Sequence, residues 1–130
     1  MPPKITLLAT GGTIASLQTP SGLAPAMRAE DLLSACPKLR GLCDITARDV
    51  FSLDSSNIQP EEWQILAQAI REAAQSCEGI VITHGTDTMA YTASALSFML
   101  RGLSVPVVLT GSQLPLWHPH SDAQSNLTEA

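Results

Sequence analysis

The sequence predicts an α/β domain of three layers, in which a mostly parallel sheet of four recognisable strands lies between two layers of helices. Short apolar runs, typical of strands in the interior of a sheet, occur at 5–10, 45–51, 80–82 and 105–110. Segments with the apolar spacing of helices alternate with these runs. Polar turns follow the strands, as in sheets that bind ligands at their carboxyl edge.

The composition limits the classes of function open to the chain. Its 130 residues, 45% of them hydrophobic, fit one globular domain with a substantial core. The net charge of −5 argues against nucleic acid or an anionic membrane as a partner. No apolar run reaches the roughly 18 residues of a transmembrane helix, and no signal-peptide pattern opens the chain. Three cysteines without a CxxC motif are expected to be reduced thiols, which favours a cytoplasmic location.

The first predicted strand, 5–10, leads into the turn Gly11–Thr13. Two consecutive glycines allow a close approach of the backbone and leave N–H groups directed outward. Residues 16–27, rich in Pro, Gly, Ser and Thr, are predicted to form a mobile surface loop beside this turn. A short helix is expected at 29–35, and Pro37 is expected to stop it.

The second predicted strand, 45–51, is amphipathic, which is compatible with a place at the sheet edge. A polar turn follows at 53–57. Pro60 suits the first turn of a helix that is expected to extend to about Gln75. Five apolar residues share one face of this helix and are expected to face the core: Trp63, Leu66, Ala67, Ile70 and Ala74.

The third strand and the helix after it form the unit around which we expect the domain to be organised. A buried strand at 80–82 leads through the turn 83–88 into an apolar helix at 89–100, and Gly85 lets the backbone turn. The helix contains no charged residue. Because a helix that is apolar on nearly all sides must be covered on nearly all sides, we expect another chain or a further part of the protein to cover its outer face.

The fourth strand, 105–110, leads to a polar loop at 112–121 and then to the start of another helix at 122. With the strands numbered along the chain, a doubly wound order of 2-1-3-4 places strands 1 and 3 side by side at a switch point. The turns Gly11–Thr13 and Thr83–Thr88 are then expected to face each other, with Asp54–Ser56 beside them.

Thr13 is the first candidate for chemistry. A hydroxyl after a double glycine at the end of a strand is exposed and surrounded by backbone N–H donors, which suits a nucleophile with an oxyanion hole. The alternative is that Thr13 only closes a turn. A glycine-rich phosphate loop is disfavoured, because both the lysine of GxxxxGK[ST] and the spacing of GxGxxG are missing.

Two further polar clusters follow strands. A carboxylate beside a hydroxyl, as in Thr86 and Asp87, suits the binding of an ammonium group or the orientation of a second nucleophile. Alternatively, Asp87 or Thr88 is only the N-cap of the helix. The hydroxyls and backbone donors of Asp54–Ser56 suit a carboxylate ligand, and the alternative is a polar turn that caps the next helix.

The three histidines are interpreted as loop residues without a metal. His118 and His120 flank a proline, but no third ligand stands at a useful spacing. His84 lies in the turn after the third strand.

Four segments carry a resemblance to a known family. ITLLATGGTIAS at 5–16 and GIVITHGTDTMAYTASALSFML at 79–100 resemble the two signature motifs of the bacterial-type L-asparaginases. LDSSNIQPEEW at 53–63 and LTGSQLPLWHPHSDAQSNL at 109–127 are similar to its cytoplasmic, type I branch.

The resemblance implies hydrolysis of L-asparagine to L-aspartate and ammonia through a covalent threonine acyl-enzyme. Thr13 matches the nucleophile of the family, and Thr86 and Asp87 match its second catalytic cluster. Asp87 is also implied to hold the substrate α-ammonium group. Five residues are assigned to substrate binding: Asp54, Ser55, Ser56, Gly12 and Gly85. Neither a metal nor a cofactor is implied.

The sequence departs from the family pattern in two respects. Leu23 stands where many members have a lid tyrosine, and the only tyrosine, Tyr91, follows the second signature. The catalytic lysine of the family falls beyond Ala130, and family chains are more than twice this length. We therefore expect residues 1–130 to be a truncated N-terminal domain without the C-terminal domain. The family forms dimers or tetramers, so a homodimer, a homotetramer or docking with the C-terminal part is expected.

Three alternative functions stay open at this point. The first is a glutaminase, since the sequence does not separate asparagine from glutamine. The second is the related subunit that acts on glutamyl-tRNA, against which the negative net charge counts. The third is a catalytically silent module that binds a small amino acid with the same loops.

Overall fold

The computed structural model describes all residues from 1 to 130 and contains six strands and five α-helices. In chain order these are β1 (Lys4–Gly11), β2 (Ser16–Thr19), β3 (Gly22–Pro25), α1 (Ala29–Ala35), α2 (Lys38–Leu42), β4 (Asp44–Leu53), α3 (Pro60–Ala73), β5 (Gly79–Thr83), α4 (Met89–Met99), β6 (Val107–Thr110) and α5 (Ala123–Glu129). Short 3₁₀ turns, Thr13–Ala15 and Ser55–Asn57, follow β1 and β4. None of the helices has the length and apolar character needed to cross a membrane.

The main sheet has the strand order β4-β1-β5-β6, and every neighbouring pair is parallel. This confirms the predicted order 2-1-3-4, and it places β4 at a sheet edge. In the register, Ala9 pairs with Thr83, and Thr83 pairs with Thr110. β1, β5 and β6 therefore end at the same edge of the sheet, and the turns that follow β1 and β5 start side by side.

The core consists of two apolar layers, one on each face of the sheet. Leu7 packs in the layer that contains α1 and α5, whereas Leu8 packs in the layer that contains α3 and α4. Because successive side chains of a strand point to opposite faces, one apolar run serves both layers. Each fully buried leucine or isoleucine contributes about 1.5–3 kcal/mol. The three-layer architecture is confirmed.

Residues 16–27 are predicted to form a surface loop, but 16–25 form an antiparallel hairpin. β2 pairs with β3 from Ser16–Pro25 to Thr19–Gly22. The Thr19 hydroxyl donates to the Gly22 carbonyl at 2.6 Å, and Gly22 has a φ of 111°, which favours glycine. A proline and a glycine near the turn gave the segment a loop-like composition, although both are typical turn residues of hairpins.

Two prolines account for the other differences. Pro37 follows α1 as expected, but it also stands at the N-terminus of α2, which the sequence does not predict. Proline is tolerated there because the first N–H groups of a helix have no partner within it. Pro106 lacks an N–H donor, and β6 begins after it, at Val107, and not at 105.

Helix α4 leaves one side uncovered in this chain. Only Thr92 and Leu96 are buried, whereas Tyr91 is 68% exposed and Phe98 is 72% exposed. The two aromatic residues are seven positions apart, so they lie on the same side of the helix. Residues 1–130 thus cover only one side of the helix, and the expectation that another chain or a further part of the protein covers its outer face stays a prediction.

Candidate functional site

The three polar turns converge on one pocket of about 100 Å³ at the carboxyl edge of the sheet. Leu23 is the only large apolar side chain in its wall. The lining residues are Gly12, Thr13, Ser16, Leu23, Pro25, Asp54, Ser55, Gly85, Thr86 and Asp87. Of the candidate site residues, only Ser56 lies outside this lining.

Glycines bring the turns into backbone contact. A Cβ atom on Gly12 would lie 2.5 Å from Gly85 Cα, and Gly12 has a φ of 80°. A Cβ atom on Gly85 would in turn lie 2.6 Å from Ser55 Cβ. Real Cβ atoms do not approach other heavy atoms so closely. The stack of Gly12, Gly85 and Ser55 therefore sets the distance between the three turns, and only glycine fits at positions 12 and 85.

Thr13 begins the 3₁₀ turn after β1. The turn is fixed from below by Ile14, which is fully buried, and by the Ser16 hydroxyl, which donates to the Gly12 carbonyl at 2.9 Å. The Thr13 hydroxyl lines the pocket and has no hydrogen-bond partner within the chain. The alternative role, closing the turn, is thus filled by Ser16.

Thr86 and Asp87 line the same pocket and lie just before α4. Their side chains form no hydrogen bond or ion pair within the chain. Thr88 occupies the N-cap position, as expected for one of the two candidates, but its hydroxyl donates to the Ser55 carbonyl at 2.8 Å and caps nothing. The Asp87 carboxylate therefore remains free to meet a ligand, near the positive end of the helix dipole.

The turn after β4 holds an ordered carboxylate. One oxygen of Asp54 accepts hydrogen bonds from the Ser56 N–H at 3.0 Å and from the Ser56 hydroxyl at 2.8 Å. These bonds, the backbone one first, lower the pKa of Asp54 below its ordinary value. Ser55 is 2% exposed and forms part of the pocket wall. Ser56 thus hydrogen-bonds a pocket residue without lining the pocket itself.

Replacing Ser56 by alanine is expected to raise the pKa of Asp54 part of the way back, because the backbone bond remains. The folded-state pKa is lowered, so the stabilising contribution of the carboxylate is complete above the unfolded pKa of about 3.9. It is lost as the pH falls through the folded value. A ¹³C NMR titration of the carboxyl carbon measures the change. Ser52→Ala, which removes an exposed hydroxyl bonded to Pro25, is the control; an unchanged Asp54 titration in Ser56→Ala would contradict the assignment.

The hairpin β2–β3 supplies wall residues that are missing from the predicted substrate-binding set. Ser16 and Pro25 form its base, and Leu23 reaches the pocket from β3. The base is held by the loop after β6, since the Trp117 indole N–H donates to the Ser16 carbonyl at 2.9 Å. The Pro and Gly residues between 19 and 22 are the sequence signal that points to this hairpin.

His84 lies in the loop after β5, as predicted, but the sequence does not predict that its side chain is fully buried with both ring nitrogens hydrogen-bonded. Burial lowers its pKa, against a smaller opposite effect of its bond to Gly85. His118 and His120 lie in the loop after β6, with ring centroids 6.0 Å apart. No group of three His, Cys, Asp or Glu side chains is arranged to hold a metal ion.

Fold and pocket together define a doubly wound α/β domain with a small, polar pocket at the switch point between β1 and β5. Residues 4–130 match the family model described as "Asparaginase, N-terminal". The chain belongs to the asparaginase family, and the resemblance noted in its sequence is confirmed.

Three known proteins illustrate the relationship. The chain is 51% identical over 132 residues to an L-asparaginase of Thermococcus kodakarensis, a match that covers 98% of the chain and 39% of the relative. It is 48% identical over 128 residues to a glutamyl-tRNA(Gln) amidotransferase subunit of the same organism, covering 96% and 29%. The crystal structure of L-asparaginase I from Vibrio cholerae superposes with a TM-score of 0.87 at 40% identity, covering 98% and 39%. The chain thus spans about two fifths or less of each of these proteins.

Proposed function

We propose that the protein hydrolyses the side-chain amide of L-asparagine to give L-aspartate and ammonia. The observation that carries this proposal is that one pocket of an asparaginase-family domain contains two unpaired hydroxyls, Thr13 and Thr86, and one unpaired carboxylate, Asp87. The Thr13 oxygen attacks the amide carbon and its hydroxyl proton is passed to the amide nitrogen, so the C–N bond breaks and the nitrogen leaves as ammonia. Water then cleaves the resulting ester and releases aspartate.

The other wall residues are suited to hold the charged end of the substrate. We assign the α-ammonium group to Asp87 and the α-amino and α-carboxylate groups to the turn Asp54–Ser56. The pKa of Asp54 is lowered, so this residue is ionised at neutral pH. The backbones of Gly12 and Gly85 are assigned to substrate binding as well. Both residues line the pocket, and because glycine has no side chain, a ligand can reach their backbone atoms directly.

Activation of Thr13 is assigned to a group outside residues 1–130. Leu23 on the hairpin has no proton to exchange, and Tyr91 is a largely exposed residue on α4 that does not line the pocket. We infer that residues 1–130 are the N-terminal domain of a longer enzyme. In that enzyme, a further domain supplies the lysine of the second catalytic cluster.

The test is an assay of ammonia release from L-asparagine and L-glutamine, with L-aspartate, which has no side-chain amide, as the blank. The complete protein is expected to act on asparagine, and the polypeptide 1–130 alone is expected to be nearly inactive, since loss of a proton-transfer group alone costs roughly 10²–10⁴-fold. Addition of the remaining domain in trans is expected to restore turnover. Full turnover by 1–130 alone would disprove the assignment of the activating group. Absence of turnover in the complete protein would disprove the proposed function.

A second candidate is supported by the similarity to the amidotransferase subunit. In that case ammonia would be released for transfer to glutamyl-tRNA and not into solution. The net charge of −5 disfavours contact of this domain with tRNA, so other parts of an assembly would bind it. Ammonia release from free asparagine without any partner protein favours the asparaginase. Release that requires a partner subunit and charged tRNA favours the second candidate.

The uncharged helix α4 supports an assembly of several chains. We propose that its outer face, marked by Tyr91 and Phe98, is covered in a homodimer or homotetramer or by the rest of the protein. If another copy of the protein covers this face, Phe98→Ser is expected to shift sedimentation of the complete protein toward smaller species; if the rest of the same protein covers it, the melting temperature is expected to fall instead. Ser94→Ala on the same exposed side is the control. A wild-type protein that sediments as a monomer at high concentration, with Phe98 still exposed to solvent quenchers, would contradict the proposal.

We also propose a cytoplasmic location. The three cysteines are free, as expected for a reducing compartment, and the sequence resembles the cytoplasmic type I branch.

The substrate is the only small molecule that we assign to the pocket, and no cofactor is assigned to it.

A further inference from the structure

A buried chain of hydrogen bonds connects helices α3 and α4 to the pocket turn. The Trp63 indole nitrogen lies 2.9 Å from the Thr92 hydroxyl, and this hydroxyl lies 2.8 Å from His84 Nε2. At the other side of the ring, His84 Nδ1 lies 2.6 Å from the Gly85 carbonyl oxygen. Both His84 and Thr92 are fully buried. Neither the polar character nor the connection of these three residues is used in the catalytic roles assigned above.

The two ends of the chain fix the direction of every hydrogen bond. An indole N–H can only donate, and a carbonyl oxygen can only accept. His84 Nδ1 must therefore carry the proton that Gly85 accepts. Burial favours the neutral ring, so Nε2 is an acceptor, and the Thr92 hydroxyl donates to it while accepting from Trp63. Proton positions on all three side chains are thereby determined.

We propose that Trp63, Thr92 and His84 are positioning residues that hold the Gly85–Thr86 peptide in its orientation in the pocket. The inference rests on the proposed function. A trans peptide directs its carbonyl and its N–H to opposite sides, and the structure contains no cis peptide. With the Gly85 carbonyl bound to the buried imidazole, the Thr86 N–H is directed away from it. This N–H has no acceptor within the chain, so it is available to a ligand.

The position of this peptide matters because Gly85 lies between the other two turns. A Cβ atom on Gly12 would meet the backbone of Gly85, and a Cβ atom on Gly85 would meet Ser55. A rotation of the Gly85 carbonyl would therefore displace the Thr86 N–H donor. It would also change the distance between this turn and Thr13, the proposed nucleophile beside Gly12. Misplacement of reacting groups by about 1 Å can cost roughly 10²-fold in rate.

The kinetic test compares Thr92→Val with Thr92→Ser in the complete protein. Valine keeps the shape of threonine but removes the hydroxyl, whereas serine keeps the hydroxyl. We expect Thr92→Val to lower kcat for asparagine by roughly 10- to 100-fold, with a much smaller change in KM, because the aligned peptide matters most in the transition state. Thr92→Ser is expected to stay within about threefold of wild type. Ser94→Ala, which alters an exposed hydroxyl on the same helix, is the control.

Stability and structure are measured on the same variants. A lower melting temperature with unchanged kcat in Thr92→Val would show a purely structural role and overturn the inference. ¹⁵N NMR of the His84 ring tests it without any turnover: a proton on Nδ1 and a shifted Thr86 amide signal in Thr92→Val are expected. A proton on Nε2, or an unmoved Thr86 signal, would overturn the inference. A wild-type protein that does not hydrolyse asparagine disproves the proposed function, whereas the NMR result still decides the positioning role.

Discussion

Thr13→Ala in the complete protein is expected to abolish ammonia release from L-asparagine, by roughly 10⁴-fold or more, and to leave substrate binding within about threefold of wild type. The nucleophile forms its bond to the substrate only on the way to the transition state, so its loss affects kcat and not the contacts of the α-groups. Those contacts are assigned to Asp54–Ser56 and Asp87, which the substitution does not touch. Ammonia release and calorimetric titration with asparagine measure the two effects separately.

The surroundings of Thr13 allow this substitution to remove the hydroxyl without removing a hydrogen bond that holds the turn. Its hydroxyl has no partner in the chain, so alanine leaves no buried group unsatisfied, and Ser16 still holds the turn through the Gly12 carbonyl. Thr13→Ser, which keeps a hydroxyl, is the matched control and is expected to retain measurable turnover. Turnover of Thr13→Ala above a tenth of the wild-type rate would exclude Thr13 as nucleophile. Loss of binding together with turnover would point to a role for Thr13 in holding the substrate.

The strands and their order follow from local sequence. The apolar runs at 5–10 and 80–82 are bounded by glycines and polar turns, and such runs have few alternatives to a buried parallel strand. Once strands alternate with helices, the position of the turns at one sheet edge follows from topology. For this reason Thr13, Thr86 and Asp54 could be predicted from the sequence to line one pocket. Their catalytic and binding roles remain proposals.

The remaining features depend on contacts between distant parts of the chain. The sequence marks Gly12 as a glycine that permits close approach, but it does not identify Gly85, 73 positions later, as the backbone it approaches. His84 looks like any turn histidine until Thr92 and Trp63 are placed beside it. The hairpin is missed since its composition resembles a loop, and pairing between its two strands is a property of the folded chain.

The second large effect is expected for Gly12→Ala. Its Cβ atom would meet the backbone of Gly85, which is itself packed close to Ser55. The φ of 80° adds a conformational cost of about 1–2 kcal/mol for an L-residue. We expect the free energy of unfolding to fall by more than about 3 kcal/mol, and turnover to fall by roughly 10²-fold or more in any protein that still folds. Denaturant unfolding and the ammonia assay measure the two effects.

Gly102→Ala separates the steric contact from the backbone conformation. Gly102 has a φ of 76°, close to that of Gly12, but no atom lies within 4 Å of the position its Cβ would take. This control is therefore expected to lose only about 1–2 kcal/mol and to keep its activity. The difference between the two variants measures the contact between the turns. If Gly12→Ala were no more destabilising than Gly102→Ala and equally active, the close stack of Gly12 and Gly85 would not be what sets the geometry of the pocket.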